Sequence, residues 1–546
     1  MKTGFVVVLA VCGSLAQGQA DTEEAVDQFD WRETEHGNLV SAVRNYKGMP
    51  GKNCFNVGWI YAATAMVSDR LAILQPTEPK VQLSTQVLIN CARQGENVDN
   101  CVGTPGKIGD ALRFIMDNEG IPDRTCMGYR GVQEQCAYNN MCFNCLPEGC
   151  TPRPQYFKYS ISSYSRINVK HIKRIVRERG PVACEFNDKT YGTVVGFRGA
   201  ILNVKKDEGT FYRRDGFTSY RASKIVECWE ATVELPTRYF DRKVEKENEK
   251  KEKEKKKGDT PENGLFGVKK RFEGLKMNFS ELVFAEPAFS RELSIDQLPK
   301  SYTWEHRNLL TPVQSHHNGP GYCGACWSMA SASTYSDRLK IHGKGKYSLD
   351  VYVSPQTSVD CVRGGSDGCN GGGSQDVDEH IQSVGTVDET CNSWVSGKQT
   401  CQRNGTFCKT CSEDGTCKPV PDGQYKVYRA EAWGNLRGEV PMMKEIYKNG
   451  PIDCLIATPE ALGEFVFGDD IICDRKTDPK KWSTSHVISV VGYGENEDGA
   501  KYWVIRNSWS TAWGNNGFAK VCRGENQPGG NMLLESACSW VLPTIN

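Results

Sequence analysis

The cysteines of this 546-residue chain recur in one order in its two halves, and this repetition restricts the possible folds more than any other feature. Short sequences recur with them: Ser-Asp-Arg-Leu occurs at residues 68–71 and 336–339, and a Gly-Pro pair precedes both Cys184 and Cys454. Such self-similarity indicates two copies of one domain. The matching cysteines are 91, 101, 126, 136, 142, 145, 150 and 184 in the first half and 361, 369, 391, 401, 408, 411, 417 and 454 in the second.

The start of the chain is typical of a secretory signal peptide. A short apolar run at residues 5–12 follows Lys2, and small residues follow it up to Ala20, which predicts cleavage near residue 20. The total of 24 cysteines fits an oxidising compartment. We therefore expect the secretory pathway, with an extracellular or lysosomal destination. Asn278 and Asn404 begin Asn-X-Ser/Thr sequences, which predict glycosylation.

The charge pattern separates the two halves and excludes some classes of partner. Lys+Arg and Asp+Glu both number 67, so net charge favours neither nucleic acid nor membrane partners. Residues 243–257 are almost all Lys and Glu, a composition that predicts a solvated linker. We expect a signal peptide at 1–20, a first copy at 21–240, a linker or propeptide-like segment at 241–297 and a second copy at 298–546.

The second half of the chain has an odd number of cysteines, so they cannot all pair with one another. The first half has eleven including Cys12 of the signal peptide, whereas the second has thirteen, so one is left unpaired if the others form internal disulfides. Cys326 is the candidate, because it begins a small-residue helix where the dipole favours a thiolate. Gly58 takes its place in the first copy. The alternatives are structural cysteines before a buried helix, an intermolecular disulfide or a thiol without function.

A thiolate nucleophile needs a base and a group that orients the base. His486 lies in an apolar, strand-like run, and a second such run ends at Asn507, followed by Trp509. Asn507 could hold the imidazole, and Trp509 could shield their bond from water. A structural histidine is the alternative interpretation.

Together these motifs resemble the papain-like cysteine proteases, and within them the cathepsin X subfamily. The resemblance covers residues 298–546 well and residues 31–235 weakly, with its motifs at 298–304, 322–327, 369–372, 446–451 and 507–509. It implies an α+β fold of tandem two-lobed domains, each with a helical and a β-barrel-like lobe, the first truncated. It also implies peptide or protein substrates; no cofactor or metal is expected, and contact between the copies is possible.

The resemblance assigns roles to residues of the second copy. Cys326 would be the nucleophile, His486 the base and Asn507 its orienting group, while Gly372 would bind extended substrate backbone. A zinc site at Cys408 and Cys411 is a weaker alternative to disulfides. The implied disulfides are Cys323–Cys369, Cys361–Cys401, Cys391–Cys408, Cys411–Cys417 and Cys454–Cys538, and we predict that the remaining Cys473 and Cys522 also pair.

Two histidines before the cysteine motif concern specificity. His316 aligns with the oxyanion glutamine of the family, although Gln314 could serve instead. His317 matches the subfamily histidine that binds the carboxylate of a peptide's last residue, with one extra residue before Pro320. These matches favour a carboxypeptidase; an endopeptidase or a non-catalytic binding protein on the same fold are the alternatives.

The first copy lacks the catalytic side chains and is predicted to be a pseudoenzyme. Cys184 and Cys228 are closer in sequence than Cys454 and Cys538. If these pairs correspond, about half of the β-rich lobe is missing. An alternative alignment places residues 194–197 on 490–493 and also supplies no histidine. The first copy could bind a ligand, assist or inhibit the second, or be a decayed passenger, and residues 266–296 could cover the cleft of the second copy.

Overall fold

The computed structural model describes most of the chain between residues 27 and 545. The described residues are 27–49, 54–93, 98–137, 140–211, 213–240, 290, 292–318, 321–343, 350–403, 407–412, 414–458, 460–463, 468, 470–525 and 529–545. The predicted signal peptide, the Lys/Glu run and both glycosylation acceptors, Asn278 and Asn404, lie outside them. So does almost all of the segment 266–296. No helix of the described residues is long and apolar enough to cross a membrane.

The first half contains the following described elements. The helices are α1 (Gly58–Leu74), α2 (Thr85–Cys91), α3 (Ile108–Asp117), α4 (Ile172–Arg179) and α5 (Arg213–Gly216). The strands are β1 (Gln28–Asp30), β2 (Phe143–Leu146), β3 (Gly149–Pro152), β4 (Gln155–Lys158), β5 (Ile161–Arg166), β6 (Val182–Phe186), β7 (Tyr191–Arg198), β8 (Ile201–Lys205), β9 (Phe217–Arg221), β10 (Ile225–Val233) and β11 (Thr237–Phe240).

The second half repeats this order. Its described helices are α6 (Cys326–Gly343), α7 (Pro355–Cys361), α8 (Ser374–Ser383), α9 (Glu439–Asn449) and α10 (Glu460–Gly463). Its described strands are β12 (Tyr302–Thr303), β13 (Lys409–Cys411), β14 (Cys417–Pro419), β15 (Ala430–Leu436), β16 (Ile452–Ala457), β17 (Ile471–Ile472), β18 (Thr484–Glu495), β19 (Lys501–Arg506), β20 (Phe518–Cys522) and β21 (Cys538–Pro543).

The main sheets of the two halves share one topology. The first runs β5-β10-β6-β7-β8-β9 with β1 paired to β7, and the second runs β15-β21-β16-β18-β19-β20-β17 with β12 paired to β18. The register also agrees, since Asp30 is opposite Gly196 and Thr303 is opposite Gly492. A Cβ on either glycine would lie 2.8 Å from the Cα of its partner, which explains why both strands carry glycine here.

The first copy is shorter, as predicted, but the interpretation that about half of its β-rich lobe is missing is wrong. Only β17 of the second sheet has no counterpart in the first sheet as described. The difference lies in the connections: residues 187–190 join β6 to β7, whereas residues 458–483 separate β16 from β18. The alternative alignment, residues 194–197 on 490–493, is the one the strand register supports. The short spacing between Cys184 and Cys228 suggested missing strands because such a spacing counts loop residues together with strand residues.

The repeated Ser-Asp-Arg-Leu sequence joins helix to sheet in both copies. Asp69 of α1 pairs with Lys205 of β8 at 2.8 Å, and Asp337 of α6 pairs with Arg506 of β19 at 2.6 Å. All four side chains are buried, so each charge depends on its partner for stabilisation. The following arginines donate to backbone carbonyls in the same way: Arg70 to Pro181 at 2.8 Å and Arg338 to Pro451 at 2.6 Å.

The disulfides of the two copies correspond as well. The five pairings implied by the family resemblance are all present, together with Cys473–Cys522. Cys408 and Cys411 therefore belong to disulfides and not to a zinc site. Among the described cysteines Cys326 alone is free. The first copy contains Cys54–Cys101, Cys91–Cys136, Cys126–Cys142, Cys145–Cys150 and Cys184–Cys228.

The copies pack against each other around an approximate two-fold axis. Thr511 Oγ1 donates to Asp123 Oδ2 at 2.5 Å, and Thr210 Oγ1 donates to Asp388 Oδ2 at 2.7 Å. Each copy also presents a disulfide-closed hairpin, β2–β3 or β13–β14, to the other copy. The matching hairpin contacts are Cys145 N to His317 O at 2.7 Å and Cys411 N to Lys47 O at 2.8 Å.

Candidate active site

The unpaired thiol lies at the first residue of α6. The Cys323–Cys369 disulfide precedes the helix, and the Gly324 N–H donates to the Cys369 carbonyl at 2.9 Å, which fixes the turn into it. Cys326 is only 5% exposed. Burial raises the pKa of its thiol to about 11, although the backbone N–H groups of Val487 and Trp327 favour the thiolate. The sulfur thus lies beside the strand that carries His486.

The imidazole and the amide that the sequence singled out are hydrogen-bonded to each other. His486, on β18, places Nε2 2.8 Å from Asn507 Oδ1 at the end of β19. The indole of Trp509 stacks on the imidazole with ring centroids 4.7 Å apart. Burial lowers the pKa of His486 to about 4, and the Asn507 bond opposes this shift only in part. The imidazole is therefore neutral near pH 7 and able to accept a proton.

The two histidines before the cysteine motif lie next to the same imidazole. The ring of His316 is 6.1 Å from that of His486 and 4.1 Å from that of His317. His316 Nδ1 is 3.1 Å from Ser508 Oγ, which holds the ring against the segment after Asn507. Burial lowers the pKa of both His316 and His317 well below the usual value. Gln314, the other oxyanion candidate, is occupied: Arg124 donates to its Oε1 at 2.5 Å and its Nε2 donates to Pro312 O at 2.9 Å.

Gly372 lies beneath the cysteine helix. A Cβ there would approach the Trp327 ring to 2.6 Å, so glycine is required for packing against the residue that follows Cys326. Its binding of substrate backbone remains a prediction.

The corresponding positions of the first copy carry Gly58, Thr190 and Lys206. Strand register places Thr190 where His486 lies, and Lys206 follows β8 as Asn507 follows β19. Lys206 Nζ donates to Thr190 Oγ1 at 2.6 Å, in place of the imidazole–amide bond. The ring of Tyr191 lies 3.0 Å from where a Cβ on Gly58 would project. This arrangement offers neither a nucleophilic sulfur nor an imidazole.

Sequence reasoning missed residues that the first copy contributes to the second copy's site. Asn144 Oδ1 lies 3.2 Å from His317 Nδ1, and Arg153 Nη2 donates to the carbonyl of Trp509 at 2.9 Å. Both residues belong to the β2–β3 hairpin or follow it directly. Cys145 and Cys150 stood out in the sequence only as members of the repeated cysteine order, and only the packing of the copies shows which site their hairpin faces.

The fold and this site define a thiol peptidase of the papain type. The profile of the papain family cysteine proteases matches residues 25–229 and 298–539, and the chain belongs to this family. The family acts on peptide or protein substrates. Cathepsin Z of Onchocerca volvulus is 32% identical over 272 residues, which cover 48% of this chain and 85% of that protein. Cathepsin B-like CP2 of Giardia intestinalis is 30% identical over 276 residues, covering 48% and 84%.

Among solved structures, the chain is similar to the proform of the Amb a 11 cysteine protease, a ragweed pollen allergen. It shares 22% identity with a TM-score of 0.38, and the match covers 47% of this chain and 69% of that one.

Proposed function

We propose that the second copy is a cysteine-type carboxypeptidase in which Cys326 attacks the last peptide bond of the substrate. The observation that carries this proposal is the free thiol at the start of α6, beside the strand whose His486 is bonded to Asn507 at 2.8 Å. Nucleophile, base and orienting amide are the three groups that thiol catalysis requires.

The protonation states set the order of events. Burial favours the neutral thiol and the neutral imidazole, so the proton moves from Cys326 to His486 as the sulfur approaches the carbonyl. The imidazolium then gives this proton to the leaving amine, and water hydrolyses the acyl-enzyme. The Asn507 amide oxygen keeps the ring oriented throughout, and Trp509 keeps water away from their bond.

Removal of single C-terminal residues is supported by what lies at one end of the site. His317 and the β2–β3 hairpin of the first copy meet there, with the Cys145 N–H bonded to the His317 carbonyl at 2.7 Å. A hairpin of the other copy packed against His317 suits a substrate chain that terminates there rather than one that continues. We further propose that residues 21–240 form an inactive copy, that 241–297 is a linker, and that the eleven disulfides among the described residues reflect the secretory pathway.

Two synthetic peptides of one sequence test this function. One ends in a free carboxylate and the other in an amide, and the products are identified by mass spectrometry. We expect stepwise loss of C-terminal residues from the free acid, little cleavage of the amide, and none with Cys326→Ala. Internal cleavage of both peptides would instead identify an endopeptidase.

A non-catalytic binding protein is the second candidate, and the 5% exposure of Cys326 favours it. Binding of both peptides to the folded wild-type protein without any cleavage would support this alternative.

A further inference from the structure

An arginine of the first copy reaches the second copy's site without a carboxylate partner in the part of the chain that the structure describes. Arg153 Nη2 donates to Asn144 Oδ1 at 3.1 Å and to the Trp509 carbonyl at 2.9 Å. Its Nε is out of contact with solvent and has no hydrogen-bond partner among the described residues. Arg153 as a whole is half-buried, and a guanidinium that is largely withdrawn from solvent is normally matched by an anion, because an unmatched buried charge is costly.

His317 presents a second unused nitrogen at the same place. Its Nδ1 lies 3.2 Å from Asn144 Oδ1, the oxygen that also accepts from Arg153. Its Nε2 is buried and, within the described part of the chain, also unpartnered. Two side chains that share one amide oxygen therefore each keep a nitrogen free for a further acceptor.

The surroundings hold the backbone of Arg153 in a fixed position, and the two bonds of Nη2 to Asn144 and Trp509 hold its guanidinium. Its backbone N–H donates to Cys142 O at 2.8 Å, and Asn140 Nδ2 donates to the Arg153 carbonyl at 2.8 Å. Cys142 is in turn bonded to Cys126. A pre-positioned guanidinium loses little conformational entropy when it binds an anion.

The approximate two-fold axis supplies an internal comparison. Val420 is the counterpart of Arg153, because its N–H donates to Cys408 O at 2.8 Å as that of Arg153 donates to Cys142 O. Val420 lies beside the hairpin that faces the inactive copy. There Lys47, the counterpart of His317, already pairs with Glu208 at 2.9 Å. The arginine thus occurs only where the facing copy has the thiol, the imidazole and an unsatisfied histidine.

The electrostatics agree with an anion site. Burial lowers the pKa of Arg153 to about 10. Burial, His316 and Arg153 together lower the pKa of His317. A bound carboxylate would counter both shifts, and His317 would take up a proton at Nε2 as it binds.

We propose that the inactive copy completes the substrate site of the active one: Arg153, together with His317, binds the C-terminal carboxylate of the peptide. This inference rests on the proposed carboxypeptidase function and adds the group that selects a free chain end. Arg153 is a binding residue supplied across the interface between the copies.

The test is peptide binding to the full-length Cys326→Ala protein, measured by fluorescence anisotropy with the free-acid peptide and its amide. We expect the free acid to bind more tightly. In the Arg153→Gln background its affinity should fall by about 10- to 100-fold, as for loss of a charge-assisted hydrogen bond, while the affinity for the amide is unchanged. Arg153→Lys, which keeps the charge, should retain part of the preference even if the glutamine variant folds poorly.

Arg130→Gln is the matched control, since Arg130 also has a buried, unpartnered Nε in the first copy but pairs with Glu134. Equal binding of acid and amide by the parent protein, or equal losses for both in Arg153→Gln, would overturn the proposal. If the acid preference depends on Arg153 but the Cys326-containing protein cleaves neither peptide, the catalytic assignment fails and the carboxylate site stands.

Discussion

At the scale of single residues, burial favours the neutral forms of the side chains at this site. The pKa of Cys326 is raised to about 11 and that of His486 is lowered to about 4, each because the group is buried. His316 and His317 share this environment, and their pKa values are also lowered. In the free protein, burial therefore favours the uncharged form of all three histidines.

Acid should destabilise the protein through His486. Its folded pKa of about 4 lies below the value of about 6.5 in an unfolded chain. The unfolded state therefore binds more protons in this window, and stability present above pH 6.5 is lost as the pH falls towards 4. The loss should amount to about 3 kcal/mol.

This prediction is tested by measuring the free energy of unfolding in urea for the wild type and two histidine variants between pH 7 and pH 4.5. His486→Gln should lose about 2 kcal/mol less than the wild type over this range, which covers only part of the titration, whereas the exposed-site variant His171→Gln should follow the wild type. Parallel curves for His486→Gln and the wild type would contradict it.

The residues proposed to carry the chemistry were accessible from sequence because each has a local signature. An odd cysteine, a histidine in an apolar run and Asn507 before Trp509 identify three positions without knowledge of the fold. Arg153 was not accessible. It lies next to a proline in a loop-like segment of the other copy, and its role depends on packing between residues far apart in sequence.

At the scale of elements, the ion pair between Asp337 of α6 and Arg506 of β19 positions the candidate site. The Asp337–Arg506 pair links the cysteine helix to the strand that ends at Asn507, and Asp337 also accepts from the Thr311 N–H at 2.6 Å. Because neither charge reaches solvent, the pair fixes one lobe against the other.

Replacing Asp337 by alanine should therefore cost about 3–5 kcal/mol of the free energy of unfolding, since it leaves Arg506 buried and unpaired. Peptide cleavage should fall as well, because Asn507 follows Arg506 directly. Urea denaturation and turnover of the free-acid peptide measure the two effects. Asp498→Ala, at an exposed turn, is the control. If Asp337→Ala were as stable as this variant, the Asp337–Arg506 pair would not be required for the structure.

Small-residue composition predicted the helix from Cys326, and an apolar run predicted the strand around His486. The structure places these elements at Cys326–Gly343 and Thr484–Glu495. The complete sheet of the first copy was not foreseen. Residues 187–190 alone join β6 to β7. The interval between Cys184 and Cys228 is therefore short, although the strands between these two cysteines are present.

At the scale of the whole molecule, the approximate two-fold axis brings matching positions of the copies together. Arg124 and Glu389 occupy the same place in the repeated Asp-X-Thr sequence, and they form two hydrogen bonds of 3.3 and 3.0 Å with each other. Lys80 and Asp350 meet in the same way at 2.5 Å. Identical copies would place like charges at these positions, so divergence of the halves made the interface complementary.

A charge reversal tests this interface. Arg124→Glu should destabilise the protein by about 2 kcal/mol or more, because two carboxylates then face each other, and the double variant Arg124→Glu with Glu389→Arg should recover at least half of that loss. Chemical denaturation of the four proteins in a double-mutant cycle gives the coupling. The same reversal of the exposed pair Lys300–Glu495 should change stability by less than about 1 kcal/mol. Additive losses in the Arg124–Glu389 cycle would contradict a specific pairing.

The central claim is that Cys326 is a free thiol that His486 activates by taking its proton, and alkylation by an epoxysuccinyl probe tests it most directly. We expect peptide mapping by mass spectrometry to find one adduct per chain, on Cys326, with labelling lost in Cys326→Ala and slowed in His486→Gln. A folded wild-type protein that takes up no probe, or one in which Cys326 is found in a disulfide, would contradict the account.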